Sequence, residues 1–179
     1  TEVLQGAGVR LVWFANKAAF RAGGVDNGQL TNLNLSQGST YWDIDSLGRF
    51  SAAFGYRTRA TGMYSFAAGS SSIARGNHAV AMGSGAEANS ELAFAIGLGK
   101  ANGLSSFAQG FTVANGDYAF AIGGFNSANG DYAFAGGSLS AAEGLNSFAM
   151  GNKARASGSA SAALGNDNIA SGASSMAVG

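Results

Sequence analysis

The sequence predicts an all-β fold, a parallel β-roll solenoid wound from coils of about 14 residues, and three regularities predict it. Glycines at 55, 69, 83, 97, 110, 123, 137, 151, 165 and 179 divide the last two-thirds of the 179-residue chain into nine intervals, seven of 14 residues and two of 13. Each closes a similar phrase, as in Tyr64-Ser-Phe-Ala-Ala-Gly69, His78-Ala-Val-Ala-Met-Gly83, Leu92-Ala-Phe-Ala-Ile-Gly97, Tyr118-Ala-Phe-Ala-Ile-Gly123 and Asn146-Ser-Phe-Ala-Met-Gly151. A second glycine falls near the middle of eight of the nine intervals, with Asn89-Ser90 in its place once. A fixed short period marks a solenoid, in which a repeat buries its apolar side only by stacking on its neighbours.

The half-period gives the elements of one coil. Seven residues hold about five of strand and a tight turn, and glycine supplies the positive φ that such turns use. Two strands per coil make a flattened roll. In the intervals Gly97 to Gly110 and Gly110 to Gly123 the middle glycine comes one residue early, so the deletion lies in the first turn or strand.

Alternation then sorts the side chains. The second residue before every closing glycine is alanine, at 53, 67, 81, 95, 108, 121, 135, 149, 163 and 177, and the opposite strand has its own alanine column at 60, 74, 88, 101, 114, 128, 142, 156 and 170. Successive strand side chains point to opposite faces, and a column restricted to methyl groups faces something close. The expectation is a thin, dry, alanine-filled interior, with Ala67, Ala74, Ala81, Ala88, Ala95, Ala108, Ala121, Ala135, Ala149 and Ala163 as core.

The neighbouring columns must face out. Phe66, Val80, Phe94, Phe107, Phe120, Phe134 and Phe148, with Met82, Ile96, Ile122 and Met150 just before the glycines, form a continuous apolar stripe. With coils about 4.8 Å apart it runs roughly 43 Å. Its phenylalanines amount to on the order of 1,000 Å², more than the roughly 300–600 Å² a monomer usually exposes. Burial between parallel copies is expected. The outward residues of the other strand, such as Arg59 and Thr61, Ile73 and Arg75, Glu87 and Asn89, or Arg155 and Ser157, make a wet face.

The phrase Asn146-Ser-Phe-Ala-Met-Gly151 and the Ala-x-Gly half-repeat before it resemble the head repeats of YadA-like trimeric autotransporter adhesins, usually written Asn-Ser-Val-Ala-Ile-Gly. The resemblance covers residues 51–179. Phe replaces the common Val, and most motif starts carry Tyr, His, Leu or Ser rather than Asn. It implies a left-handed roll, a parallel homotrimer joined along the apolar stripe, and display from the outer membrane on a bacterial cell surface for attachment to host matrix, cells or other surfaces. The partner would be a surface receptor, matrix protein or glycan. The alternative is a receptor-binding fibre of a phage tail or contractile injection system. Tyr64, Tyr118 and Tyr132, at motif starts, are the candidate ligand contacts, since tyrosine offers area and a hydroxyl at low entropic loss.

Composition narrows the field. Ten Lys plus Arg balance ten Asp plus Glu, and residues 51–179 carry six of each, which is no nucleic-acid footprint. Pro is absent, as suits a ladder that uses nearly every N–H, and Cys is absent, which rules out disulfides and thiol catalysis. No signal peptide stands at Thr1 and no apolar run approaches 18 residues. The expectation is a fragment whose signal, stalk and membrane anchor lie outside it.

Residues 1–50 differ in composition, holding both tryptophans, Trp13 and Trp42, with Phe14, Phe20 and Tyr41. Val9 to Trp13 and Leu30 to Leu35 read as short strands, and Asp26-Asn27-Gly28 as a turn between them. A solenoid needs its open end covered, so a capping subdomain is expected. The sharper alternative is a ligand-binding tip anchored by Trp13 or Trp42.

No catalytic constellation is present, and no enzyme, cofactor or metal is expected. His78, the single histidine, occupies a motif start, and without Cys a transition-metal site lacks ligands. Asn115-Gly-Asp117 and Asn129-Gly-Asp131 are read as turns, with weak calcium binding the alternative. Gly97-Leu-Gly99 lacks the Lys-Ser/Thr of a phosphate loop. Ice binding would need a flat threonine array, which the mixed outer columns do not supply.

Overall fold

The computed structural model describes residues 8–25 and 42–179. The strand expected over residues 30–35, the turn at 26–28 and Tyr41 lie outside them. Within the described residues there is no α-helix, only one 3-10 turn at Ile44–Ser46, and every other element is a β-strand. The fold is a β-solenoid of about nine turns. Most coils have a longer strand, for example Phe66–Ser70 or Val80–Ser84, and a two-residue strand, for example Ile73–Ala74 or Glu87–Ala88; in two coils the pair merges into one strand, Phe107–Ala114 and Phe120–Ala128. The halves are therefore unequal, unlike the expected five and five. Coils stack in parallel with like residues paired, Ala53 with Ala67, Phe66 with Val80 and Ala74 with Ala88.

The two short coils lose their residue at one corner. Glu87 pairs with Lys100 and Lys100 with Val113, so register is recovered within three residues of Gly97 and Gly110 instead of four. After most closing glycines the second residue is left-handed, as at Arg57, Phe125, Leu139 and Lys153 with φ of 53–57°. In the short coils that residue is missing; in the second of them the strand Phe107–Ala114 runs through the corner unbroken, while in the first the strand breaks between Gly97 and Lys100.

The middle glycines do a different job from the one expected. The left-handed residue of their turn falls two positions later, on non-glycine residues such as Tyr64, His78, Leu92, Tyr118 and Tyr132 with φ of 57–58°. Gly116 is required by proximity: a Cβ there would lie 2.0 Å from the carbonyl oxygen of Gly130 in the next coil. Most closing glycines face both constraints, as Gly69 does with φ of 113° and a Cβ that would meet the Gly83 oxygen at 2.0 Å.

The alanine columns are fully buried and form one continuous core from Ala53 to Ala170. The interior is not filled by alanine alone. Two further inward columns mix Ala79, Ala93, Ala119 and Ala133 with Ser65, Ser106, Ser147 and Ser161, and Ala86 and Ala154 with Thr58, Ser72, Thr112, Asn126 and Ser140. Several hydroxyls are satisfied locally: Ser65, Ser106 and Ser161 donate to the carbonyls of Gly62, Gly103 and Gly158 at 2.6, 2.7 and 2.7 Å. A buried polar group is tolerated when so paired.

The N-terminal residues continue the ladder. Strand β1 (Gly8–Phe14) is found where Val9 to Trp13 was read, but its antiparallel partner is β2 (Ala19–Val25), which the alternation did not reveal. β2 then pairs in parallel with β3 (Ala52–Tyr56). Arg21 takes the alanine position, opposite Ala53, and is fully buried. Its guanidinium donates to the Ser51 and Ala60 carbonyls at 3.1 and 2.8 Å and to the Ser51 hydroxyl at 2.9 Å. Burial lowers its pKa from the ordinary arginine range to about 10, so it remains charged at neutral pH. Val12, Phe14, Ala19 and Leu47 form a small separate core beside it.

Candidate functional site

The candidate site is the surface, and its columns follow from register. The outward column of the longer strands stacks its rings: Phe94, Phe107, Phe120, Phe134 and Phe148 have successive centroid separations of 5.5, 4.4, 5.4 and 4.8 Å with planes within 10°. Phe66 joins through Phe54 at 5.7 Å, and Val80 lies in register between Phe66 and Phe94. Each ring is covered on its faces by the coil above and below, which leaves Phe66, Phe94, Phe107, Phe134 and Phe148 half-buried, with Phe120 more open. Beside them Met82, Ile96 and Ile122 are also half-buried and Met150 is exposed. Five stacked rings on successive coils therefore keep their apolar edges uncovered in one chain.

The opposite surface is polar and self-paired. Asn89 donates to Asn102, Asn102 to Asn115 and Asn115 to Asn129 at 2.6–2.7 Å, an amide ladder along one column. Arg75 and Lys100 bracket Glu87 at 3.0 and 2.9 Å. Burial raises the Glu87 pKa, but hydrogen bonds and charge from Lys100 and Arg75 outweigh it and hold the carboxyl below its usual value. Glu143 receives a two-pronged contact from Arg155, Nε to Oε1 at 3.2 Å and Nη2 to Oε2 at 3.0 Å.

Between the two surfaces run the corners. Tyr64, Tyr118 and Tyr132 are half-exposed on the left-handed turn residues. Tyr118 and Tyr132 stack at 5.0 Å, whereas Tyr64 stacks between Phe50 and His78 at 5.0 Å on each side. The structure thus splits the three tyrosines into two groups, and His78 is a stacking partner in the first. A second corner carries Leu98, Phe111, Phe125 and Leu139, all exposed, with the Phe111 and Phe125 rings 4.6 Å apart. The sequence reading missed this ridge. The signal was available, since these residues follow four successive closing glycines, but the turn columns were read for glycine alone.

Other expectations are corrected or placed. Trp42 cannot serve as an exposed anchor: it is 1% exposed, and its Nε1 donates to the Thr58 carbonyl at 3.1 Å. Asp117 and Asp131 use their side chains on the turns, accepting the Leu104 and Asp117 backbone N–H at 2.8 and 2.9 Å. Among the described residues no group of three or more His, Asp or Glu is arranged to hold a metal. Residues 47–72, 74–99, 114–140, 142–168 and 156–179 match the family model of the YadA head domain repeat. No curated protein matches the chain.

Proposed function

We propose, since this chain belongs to the YadA head domain family, that it works as the head segment of a trimeric bacterial surface adhesin. The family is one of structural adhesin domains. The observation that carries the reading is the uncovered phenylalanine ladder: five stacked rings on successive coils present one apolar edge each to solvent in a single chain. Three parallel copies, each a left-handed roll, bury that edge along their common axis, with Phe66, Val80, Met82, Phe94, Ile96, Phe107, Phe120, Ile122, Phe134, Phe148 and Met150 in the seam. Residues 1–50 act as the N-terminal cap and residues 51–179 as the repeat body. The polar face and the Tyr64, Tyr118 and Tyr132 corner are left to meet a receptor, matrix protein or glycan. Attachment comes from many weak contacts on a rigid rod, where three chains raise avidity without strong single contacts.

Two measurements test the reading. Light scattering should give a mass three times 17.8 kDa, and Phe120→Asp should reduce it to one chain; a single-chain mass for the unaltered protein ends the trimer proposal. Trimers shortened by whole coils should lose surface attachment steeply with coil number. Abrupt loss on deleting residues 1–50 alone, with all coils kept, would move binding to the cap.

A further inference from the structure

The apolar stripe does not stop at the first repeat. In β1 the residues Val9, Leu11 and Trp13 are 90, 75 and 60% exposed in a single chain, while Val12 and Phe14, on the other face, are buried. Register fixes which face the exposed row shares. Trp13 pairs with Phe20, which pairs with Ala52, the residue in register with Phe66. Leu11 pairs with Ala22, which pairs with Phe54. The rings of Phe20 and Phe54 are 5.3 Å apart, and a Cβ on Gly24 would lie 3.4 Å from Val9 and 3.9 Å from the Tyr56 ring, so β1, β2 and β3 present one surface.

We infer that Val9, Leu11 and Trp13 are the N-terminal continuation of the seam between chains and pack against a second copy of this chain. The inference rests on the reading that copies join along the phenylalanine ladder. Two physical points select this occupant. An outward row of Val, Leu and Trp on the outermost strand of a sheet is a feature that proteins normally suppress, because it recruits other chains. Here it is also collinear with the apolar columns that the copies share, so the same parallel arrangement covers it without a new binding mode. The hairpin then does two jobs on its two faces. Arg21, Val12 and Phe14 close the interior of their own roll, and Trp13 and its neighbours lock the ends of the copies together.

The two tryptophans make this testable on the full chain, because Trp42 is already buried within its own fold. The difference in emission between the unaltered protein and Trp13→Phe isolates Trp13. In the assembly this component should be blue-shifted, and its quenching by acrylamide should be several-fold weaker than in chains separated by Phe120→Asp. Leu11→Asp, a change at an exposed position of the single chain, should leave the β circular dichroism intact and restore quenching of Trp13. Free quenching of Trp13 in an intact trimer overturns the inference and leaves the trimer reading standing. Protection that persists in separated chains also overturns it, since the chain's own residues would then be the cover. If the unaltered protein is a single chain, the reading beneath it fails as well.

Discussion

At the scale of single residues, the glycines set the tolerance of this fold. Their columns stack so closely that a methyl group has no space between coils. Gly116→Ala would place its Cβ 2.0 Å from the Gly130 oxygen, a backbone atom that cannot rotate away, and a loss of about 2–3 kcal/mol is expected from overpacking of this kind. Gly124→Ala is the control, because nothing lies within 4 Å of the position its Cβ would take; a change within about 0.5 kcal/mol is expected there. Chemical denaturation of the two variants checks both. Equal losses would mean that glycine is needed for chain flexibility and not for close approach. The left-handed tyrosines show the complementary point. A non-glycine residue at positive φ is strained by roughly 1–2 kcal/mol, yet Tyr64, Tyr118 and Tyr132 are held there by N–H bonds of 2.7–2.9 Å to carbonyls of the preceding coil.

At the scale of elements, stability comes from ladders that repeat one contact along the rod. The short strands are two residues long, too short to persist alone, and they hold because each pairs in register with the next coil while alanine packs inside, with the Asn89 and Asn102 amides chained beside Glu87–Ala88 and Lys100–Ala101. The charged contacts add little and in a known direction. Lys100 and Arg75 keep the folded Glu87 pKa below 4.5. Its contribution is therefore full above about that pH and disappears as pH falls through the lower folded value. Because the partners are partly exposed, the effect is small. A thermal-melt series from pH 6 to pH 3 should fall less for Glu87→Gln than for the unaltered protein; parallel curves would show that the pair contributes nothing.

At the scale of the whole molecule, each coil touches only its neighbours, so the rod should shorten in whole units. Deleting residues 138–151 removes one 14-residue coil and brings together two coils whose registers are the same. That protein should fold with the same circular dichroism and a modest drop in melting temperature, as expected where stability sums over units and nearest-neighbour interfaces. Deleting only residues 145–151 puts a long strand against a short one and exchanges Phe148 and its neighbours for turn residues, and cooperative melting should be lost. Equal behaviour of the two deletions would mean that coil register does not hold the rod together.

The sequence alone determined the coil, its length, the inward alanines and the outward phenylalanines. It could do so because a solenoid repeats one environment, and nine repeats expose its constraints as columns. It did not determine what glycine is for at each column, because a positive φ and a forbidden Cβ leave the same letter. It gave the N-terminal hairpin only in part: β1 alternates loosely, whereas Ala19–Val25 carries two glycines and a buried arginine and does not look like a strand. Only the tertiary structure decided that Arg21 enters the interior, where the Ser51 and Ala60 carbonyls, each of which also accepts a backbone N–H, accept its hydrogen bonds. It also decided that Trp42 is buried and Trp13 is not, since a residue that occurs once has no column to report its side. Repetition makes local geometry readable from letters, and the ends of a rod, where repetition stops, are fixed by contacts that no period encodes.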